Sequence, residues 1–213
     1  MTPARVLFCH PGAELYGSDR MAVASVRALV ASGRPVTVVV PAQGPLVAEF
    51  EDAGATVRLL DLPVLRKSLL KPRPFLRLLF GMPRTLRTAL RTIASEKPAA
   101  LYVNTITQPW WLVAARLARV PALSHVREQE SQVPWLVKRI LTFPLVMADL
   151  ILCNSRSTLD HVRQYGTGVA RKLRVLYNGK DWSRYGQRPF AGTGKVTDDA
   201  DQVIVPGHGE ASL

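Results

Sequence analysis

The sequence predicts an α/β fold, a Rossmann-like doubly wound parallel sheet of about seven strands. Three observations carry that expectation. Short runs of β-branched and apolar residues recur through residues 3–178, each long enough for one buried strand. Helically spaced stretches separate them, so strands and helices alternate as in parallel βαβ units with right-handed crossovers. Polar residues gather just after the strands, at the edge where open parallel sheets bind ligands.

The first unit organises the rest. Residues 5–9 form a strand, His10 to Arg20 a polar loop with Gly12 and Gly17, and residues 21–29 a helix closed by Ser32 and Gly33. Ser18 or Asp19 is placed to cap that helix. Backbone N–H groups and the positive end of the helix dipole then face an anionic ligand. The loop is not Gly-x-Gly-x-x-Gly, so dinucleotide binding is not indicated. Residues 35–40 make a second strand, stopped by Pro41, and a short helix over 46–53 ends at Gly54. Strands follow at 56–60, 99–103, 122–126, 149–153 and 172–176, with helices at 110–119, 133–147 and 155–165. No internal repeat is visible.

The segment 62–95, opening at Leu62 and closing at Ser95, departs from this rhythm. It carries Arg66, Lys67, Lys71, Arg73, Arg77, Arg84, Arg87 and Arg91 among leucines and phenylalanines, with no acidic residue. Pro72, Pro74 and Pro83 are expected to cut it into short pieces. A basic amphipathic stretch of this kind suits an anionic membrane surface. The plain alternative is a crossover helix with a solvated arginine face.

The whole chain of 213 residues has a net charge of +12, which points to a polyanionic surface or a phosphorylated substrate. No aromatic-rich basic motif of an RNA reader occurs, and two cysteines cannot make a zinc finger, so nucleic acid is not expected. Cys9 and Cys153 lie in strand-like runs and read as buried free thiols. The run from Val6 to Cys9 is too short for a secretory signal, and residues 140–153 fall short of the roughly 18 needed for a span. The expected location is cytoplasmic, and peripheral at most. From Gly186 onward the composition turns to Gly, Thr, Asp and Pro without period. Residues 191–195 resemble a phosphate-loop fragment but lack its first glycine and its Ser or Thr. The expected division is a domain over 1–182 and an irregular tail over 183–213.

Four stretches resemble family-4 glycosyltransferases of the GT-B fold. They are Glu14-Leu15-Tyr16-Gly17-Ser18-Asp19-Arg20, Ser124-His125-Val126-Arg127-Glu128, Asn154-Ser155-Arg156-Ser157 and Leu173-Arg174-Val175-Leu176-Tyr177-Asn178-Gly179-Lys180-Asp181. The resemblance covers residues 4–182. It implies two Rossmann-like halves around a cleft, an N-terminal half receiving the acceptor and a C-terminal half holding the nucleotide-sugar donor. It also implies transfer with retention and no metal or other cofactor. Carried over by position, His125 is the active-site histidine that contacts the transferred sugar. Gly17 and Ser18 stand near the donor phosphates, Ser18 replacing the second glycine of a family pair. Asn104, Arg127, Glu128, Asn154 and Ser155 are the remaining substrate-binding candidates. Each has a plainer reading: Arg127 and Glu128 as an ion pair, Asn154 and Ser155 as helix caps, Gly17 as a turn residue. His10, His161 and His208 have no metal-ligand spacing.

The family's second domain, with its paired glutamates, is expected to be absent, since only residues 179–213 follow Asn178. The expected function is half of a retaining glycosyltransferase acting on a cell-envelope or lipid-linked acceptor, inactive alone and pairing with a separate donor-half polypeptide. Two alternatives stand beside it: half of a GT-B epimerase or hydrolase, and a non-catalytic membrane-surface module left by truncation.

Overall fold

The computed structural model describes residues 4–65, 72–127 and 135–178. Among them run β1 (Val6–Cys9), α1 (Gly17–Ala31), β2 (Val36–Val40), α2 (Pro45–Asp52), β3 (Thr56–Leu59) and α3 (Pro72–Glu96). Then follow β4 (Ala100–Val103), α4 (Trp110–Ala118), β5 (Ala122–Val126), α5 (Trp135–Thr142), a 3₁₀ turn (Phe143–Met147), β6 (Leu150–Cys153), α6 (Arg156–Tyr165) and β7 (Leu173–Val175). All seven strands are parallel, in the order β3-β2-β1-β4-β5-β6-β7. The expected doubly wound sheet is therefore present. Its order reverses between β1 and β4, the point where such sheets open a crevice at the carboxyl ends of their strands.

Side chains alternate between two cores, as the strand period of two requires. Phe8, Val38 and Val40 meet Val23 and Val26 of α1 and Leu46 and Phe50 of α2 on one face. Leu7, Cys9, Val39, Leu101 and Val103 meet Ile93 of α3 and Trp111 and Leu112 of α4 on the other. Strands buried on both sides need continuous apolar runs, which is why Val6–Cys9 and Val36–Val40 read as they do. Cys9 and Cys153 are buried and unbonded, and burial pushes both thiols up, Cys153 to about 11, so neither is a ready nucleophile.

Three local expectations need correction. The segment at Pro72, Pro74 and Pro83 is one helix rather than short pieces. Pro72 and Pro74 sit in the first turn, where the missing N–H has no intrahelical acceptor to lose. Pro83 is exposed, and Thr85, Ala89, Thr92 and Ile93 hold the helix by burial. The helix expected over 133–147 is α-helical only through Thr142, because Pro144 cannot donate to the carbonyl of residue 140 and the chain tightens to 3₁₀. Residues 128–134 and the tail 183–213 lie outside the described residues. At α1 the N-cap is Tyr16, not Ser18 or Asp19, and the cap works backward: the Tyr16 N–H donates to the Asp19 carboxylate at 2.8 Å.

The loop after β1 is seated on the loop after β2. Leu46 N–H donates to the Ala13 carbonyl at 3.1 Å, and a Cβ on Gly44 would overlap that same carbonyl oxygen. Gly44 is extended, so contact and not backbone strain requires a glycine there. Gly44→Ala should cost about 1–3 kcal/mol, the usual range for overpacking, read from urea unfolding midpoints. Gly17→Ala, whose Cβ would meet nothing within 4 Å, should stay within ~0.5 kcal/mol of the parent. Equal midpoints for the two variants would show that the loop contact is not what fixes Gly44.

Candidate active site

The carboxyl ends of β1, β4, β5, β6 and β7 bring His10, Asn104, Arg127, Asn154 and Asn178 into one polar cluster. Arg127, immediately after β5, is its hub. Its Nε donates to Asn104 Oδ1 at 2.9 Å, and its two terminal nitrogens donate to Asn178 Oδ1 at 2.8 Å and Ser25 Oγ at 3.2 Å. A guanidinium has no acceptor, and that fact orients its neighbours in turn. Asn104 must face Arg127 with its oxygen, so its Nδ2 faces His10 Nδ1 at 3.0 Å. His10 Nδ1 is then unprotonated, and its Nε2–H donates to Asp19 Oδ1 at 3.2 Å. Burial raises the Asp19 pKa, but hydrogen bonds from His10, the Tyr16 N–H and Ser18 more than offset this, and the carboxyl titrates below its ordinary value. One chain of bonds thus runs from the start of α1 to the end of β7.

The same logic fixes His125. It is 1% exposed, and its Nδ1 lies 3.2 Å from an Arg127 nitrogen and 2.6 Å from the Tyr102 hydroxyl. Both neighbours donate, since burial holds the Tyr102 hydroxyl above its ordinary pKa despite the Arg127 charge. Nδ1 must accept, so Nε2 carries the proton, and among the described residues that Nε2–H has no partner. Burial, then the Arg127 charge, pushes the His125 pKa down to about 3. His125 is therefore a neutral hydrogen-bond donor at physiological pH, not a general base. It lines a cavity of about 420 Å³ with Tyr102, Arg127, Met21 and Ser25 of α1, and Leu176 and Asn178 after β7.

The other predicted residues divide. Gly17 and Ser18 are exposed at the N-terminus of α1 with open space above Gly17, and the Ser18 hydroxyl donates to Asp19. Asn154 joins the cluster by donating to the Arg127 carbonyl at 3.3 Å while accepting from the Thr158 hydroxyl. Ser155 is the N-cap of α6, accepting the Thr158 N–H at 3.1 Å, and its geometry serves the helix. Glu128 lies outside the described residues. Tyr102 and Ser25 belong to the site without being among the residues the sequence points to. Parity is the signal for Tyr102: it shares a strand face with Phe8, on which it stacks at 4.6 Å, and it is the one aromatic residue in an otherwise aliphatic β4. Among the described residues, no three His, Cys, Asp or Glu gather as a metal site.

The His125 shift makes an acid-stability prediction. Its folded pKa lies below the unfolded value of ~6.5, so below that pH the unfolded chain binds the extra proton and stability falls as pH falls. Each unit between pH ~6.5 and ~4 should remove up to ~1.4 kcal/mol. Asp19 also has a lowered pKa, so its contribution is present above ~3.9 and is lost only below that window. Urea titrations of His125→Gln should show a flatter pH dependence across that window, whatever its absolute stability; an unchanged slope would mean another group carries the proton linkage.

The glycosyl transferase 4-like domain model matches residues 17–179 of this chain. No match is found among proteins of curated function. In structure, the chain is similar to HepE of Anabaena, solved with UDP and glucose, at TM-score 0.63 and 20% identity over 87% of this chain and 47% of that one. It is also similar to a glycosyltransferase of Rickettsia africae (TM-score 0.64, 13% identity, 89% of this chain and 47% of that one). MurG of Acinetobacter baumannii follows at TM-score 0.57 and 18% identity, over 89% of this chain and 50% of that one. At such identities the likeness is one of fold, and the chain spans about half the length of each. With a seven-stranded parallel sheet of that architecture and a family match over most of its length, the chain belongs to the glycosyl transferase 4-like family, as an N-terminal GT-B domain.

Proposed function

We propose that this chain is the acceptor-side half of a retaining glycosyltransferase, moving a sugar from a nucleotide-sugar donor to a cell-envelope or lipid-linked acceptor on the cytoplasmic side of a membrane. The observation that carries this reading is His125: a buried, neutral imidazole whose Nε2–H has no partner among the described residues, beside a cavity at the strand ends. A free donor in a dry wall suits a sugar hydroxyl or the oxygen that gains charge as the glycosidic bond to phosphate breaks. Arg127 and the N-terminus of α1 add positive potential on the same edge. HepE, solved with UDP and glucose, supports a nucleotide sugar as the donor class.

One wall is not a complete site. A helix terminus contributes ~0.3–1 kcal/mol toward an exposed anion and ~2 at best, against at least ~8 kcal/mol of barrier lowering in enzymes. A donor-side half must supply the rest, whether as further sequence or as a separate polypeptide. In this reading the exposed Arg84, Arg87 and Arg91 of α3 meet an anionic membrane.

Two measurements check the reading. Residues 1–213 alone, incubated with nucleotide sugars and a membrane extract, should release no nucleotide above the no-protein control; strong release abolished by His125→Ala would show a complete enzyme instead. In the enzyme assembled with a donor-side half, His125→Ala should lower kcat about 10- to 100-fold, because a hydrogen bond to a charged group is worth ~1.5–3 kcal/mol. Unchanged turnover with intact folding would remove His125 from the chemistry and favour the non-catalytic module.

A further inference from the structure

A row of aromatic rings runs along one face of the sheet and ends at the site. Phe50 of α2 meets Phe8 of β1 at 6.2 Å between ring centroids, Phe8 stacks on Tyr102 of β4 at 4.6 Å, and Tyr102 meets His125 of β5 at 6.0 Å. Strand register sets this row. Phe8 pairs with Tyr102 and Tyr102 with Leu123, which puts Phe8, Tyr102 and His125 on the same face. Phe8 and Phe50 are fully buried, so the Tyr102 ring rests against a close-packed wall.

The Tyr102 hydroxyl adds one thing to that row. A phenylalanine would stack on Phe8 as well, but only the hydroxyl reaches His125 Nδ1, at 2.6 Å. It is the shorter of the two contacts at that nitrogen. The Arg127 nitrogen lies at 3.2 Å and is shared with Ser25 Oγ at the same distance, while the rest of the guanidinium is committed to Asn104 and Asn178. The two neighbours therefore divide the work. A guanidinium only donates, so Arg127 decides which imidazole nitrogen bears the proton. A hydroxyl can donate or accept, so Tyr102 decides no tautomer; what it holds is the ring.

We propose that Tyr102 is the positioning residue of His125, its hydroxyl fixing the imidazole ring so that the Nε2–H stays aimed at a substrate oxygen. The two ring nitrogens face away from each other in the ring plane, so tying Nδ1 to Tyr102 also sets where Nε2 points. Nε2 has no partner of its own among the described residues to resist a turn of the ring. Aim matters because a hydrogen bond weakens steeply as its donor angle falls, and a small misplacement of a catalytic group is costly in rate. The proposal rests on the transferase reading above for the substrate oxygen, and it extends the site from the strand ends back to Phe8 and Phe50 through the rings that seat Tyr102.

Tyr102→Phe tests it, because the ring and its stack on Phe8 stay while the hydroxyl goes. On residues 1–213 alone, nitrogen-15 NMR of His125 should show the proton still on Nε2, where Arg127 keeps it, but exchanging with water about 3- to 10-fold faster than in the parent, the factor expected for one lost neutral hydrogen bond. In the enzyme assembled with a donor-side half, the same variant should lower kcat about 3- to 10-fold and leave KM for the nucleotide sugar unchanged. Parent-like exchange would overturn the proposal. So would a raised KM at unchanged kcat, which would make Tyr102 a binding residue, and so would parent-like kcat in an enzyme that His125→Ala impairs. The transferase reading fails separately: faster exchange in Tyr102→Phe beside unchanged turnover in His125→Ala would remove His125 from the chemistry and leave the hydroxyl's hold on the ring standing.

Discussion

A single donor-only side chain sets the protonation of this site. Arg127 can give hydrogen bonds and cannot receive them, so every group it touches through nitrogen must present a lone pair. The consequence propagates in two directions. Through Asn104 it makes His10 donate to Asp19. Directly, with Tyr102, it makes His125 keep its proton on Nε2. Two histidines in one cluster thus hold defined tautomers with one cation as the cause. An Arg127→Lys change would not reproduce this, since an ammonium lacks the planar fork that reaches Asn104, Asn178 and Ser25 together.

The sheet explains why those groups can meet at all. Residues far apart in sequence come within hydrogen-bond reach only because β1 and β4 are neighbours at the reversal of strand order, with β5 next to β4. His10, Asn104 and Arg127 each follow one of these three strands. Parallel strands buried on both faces leave few places for polar side chains except their ends, so the fold concentrates polarity at the crevice. The Asp19 contact adds α1, whose N-terminus is tied to the same crevice by the cap to Tyr16.

How much of this could be read from sequence follows from range. The seven strands and their doubly wound parallel arrangement were legible, because apolar runs and βαβ alternation are dictated locally and the crossover rule limits how they join. The strand-end rule found His125, Arg127, Asn104 and Asn154. It could not find Ser25, whose part depends on an arginine 102 residues away. The prolines of α3 misled for a related reason. Proline's cost is local and visible, whereas the burial of Ala89 and Ile93 that outweighs it is tertiary. Pro144 shows the opposite balance, with the 3₁₀ turn burying only Leu145 and the helix ending where proline dictates. The cap of α1 was misassigned because Asp19 is an equally good cap residue and third-position acceptor, and the backbone at Tyr16 decides between them.

What remains is the meaning of an unpartnered buried donor. Leaving a buried polar group unpaired costs on the order of 1–3 kcal/mol, and the side chain bears it in a wall otherwise well bonded. Nδ1 has two donors competing for it while Nε2 has no partner among the described residues. A histidine kept only for packing would gain from the reverse arrangement, with its Nδ1–H given to the Tyr102 hydroxyl and only a bare Nε2 lone pair left unpaired. Arg127 forbids that reversal, and burial with the Arg127 charge prevents the imidazole from taking a second proton. The site therefore holds one neutral, buried N–H unused on a residue that lines the cavity, and Arg127 is the reason it stays both neutral and unused.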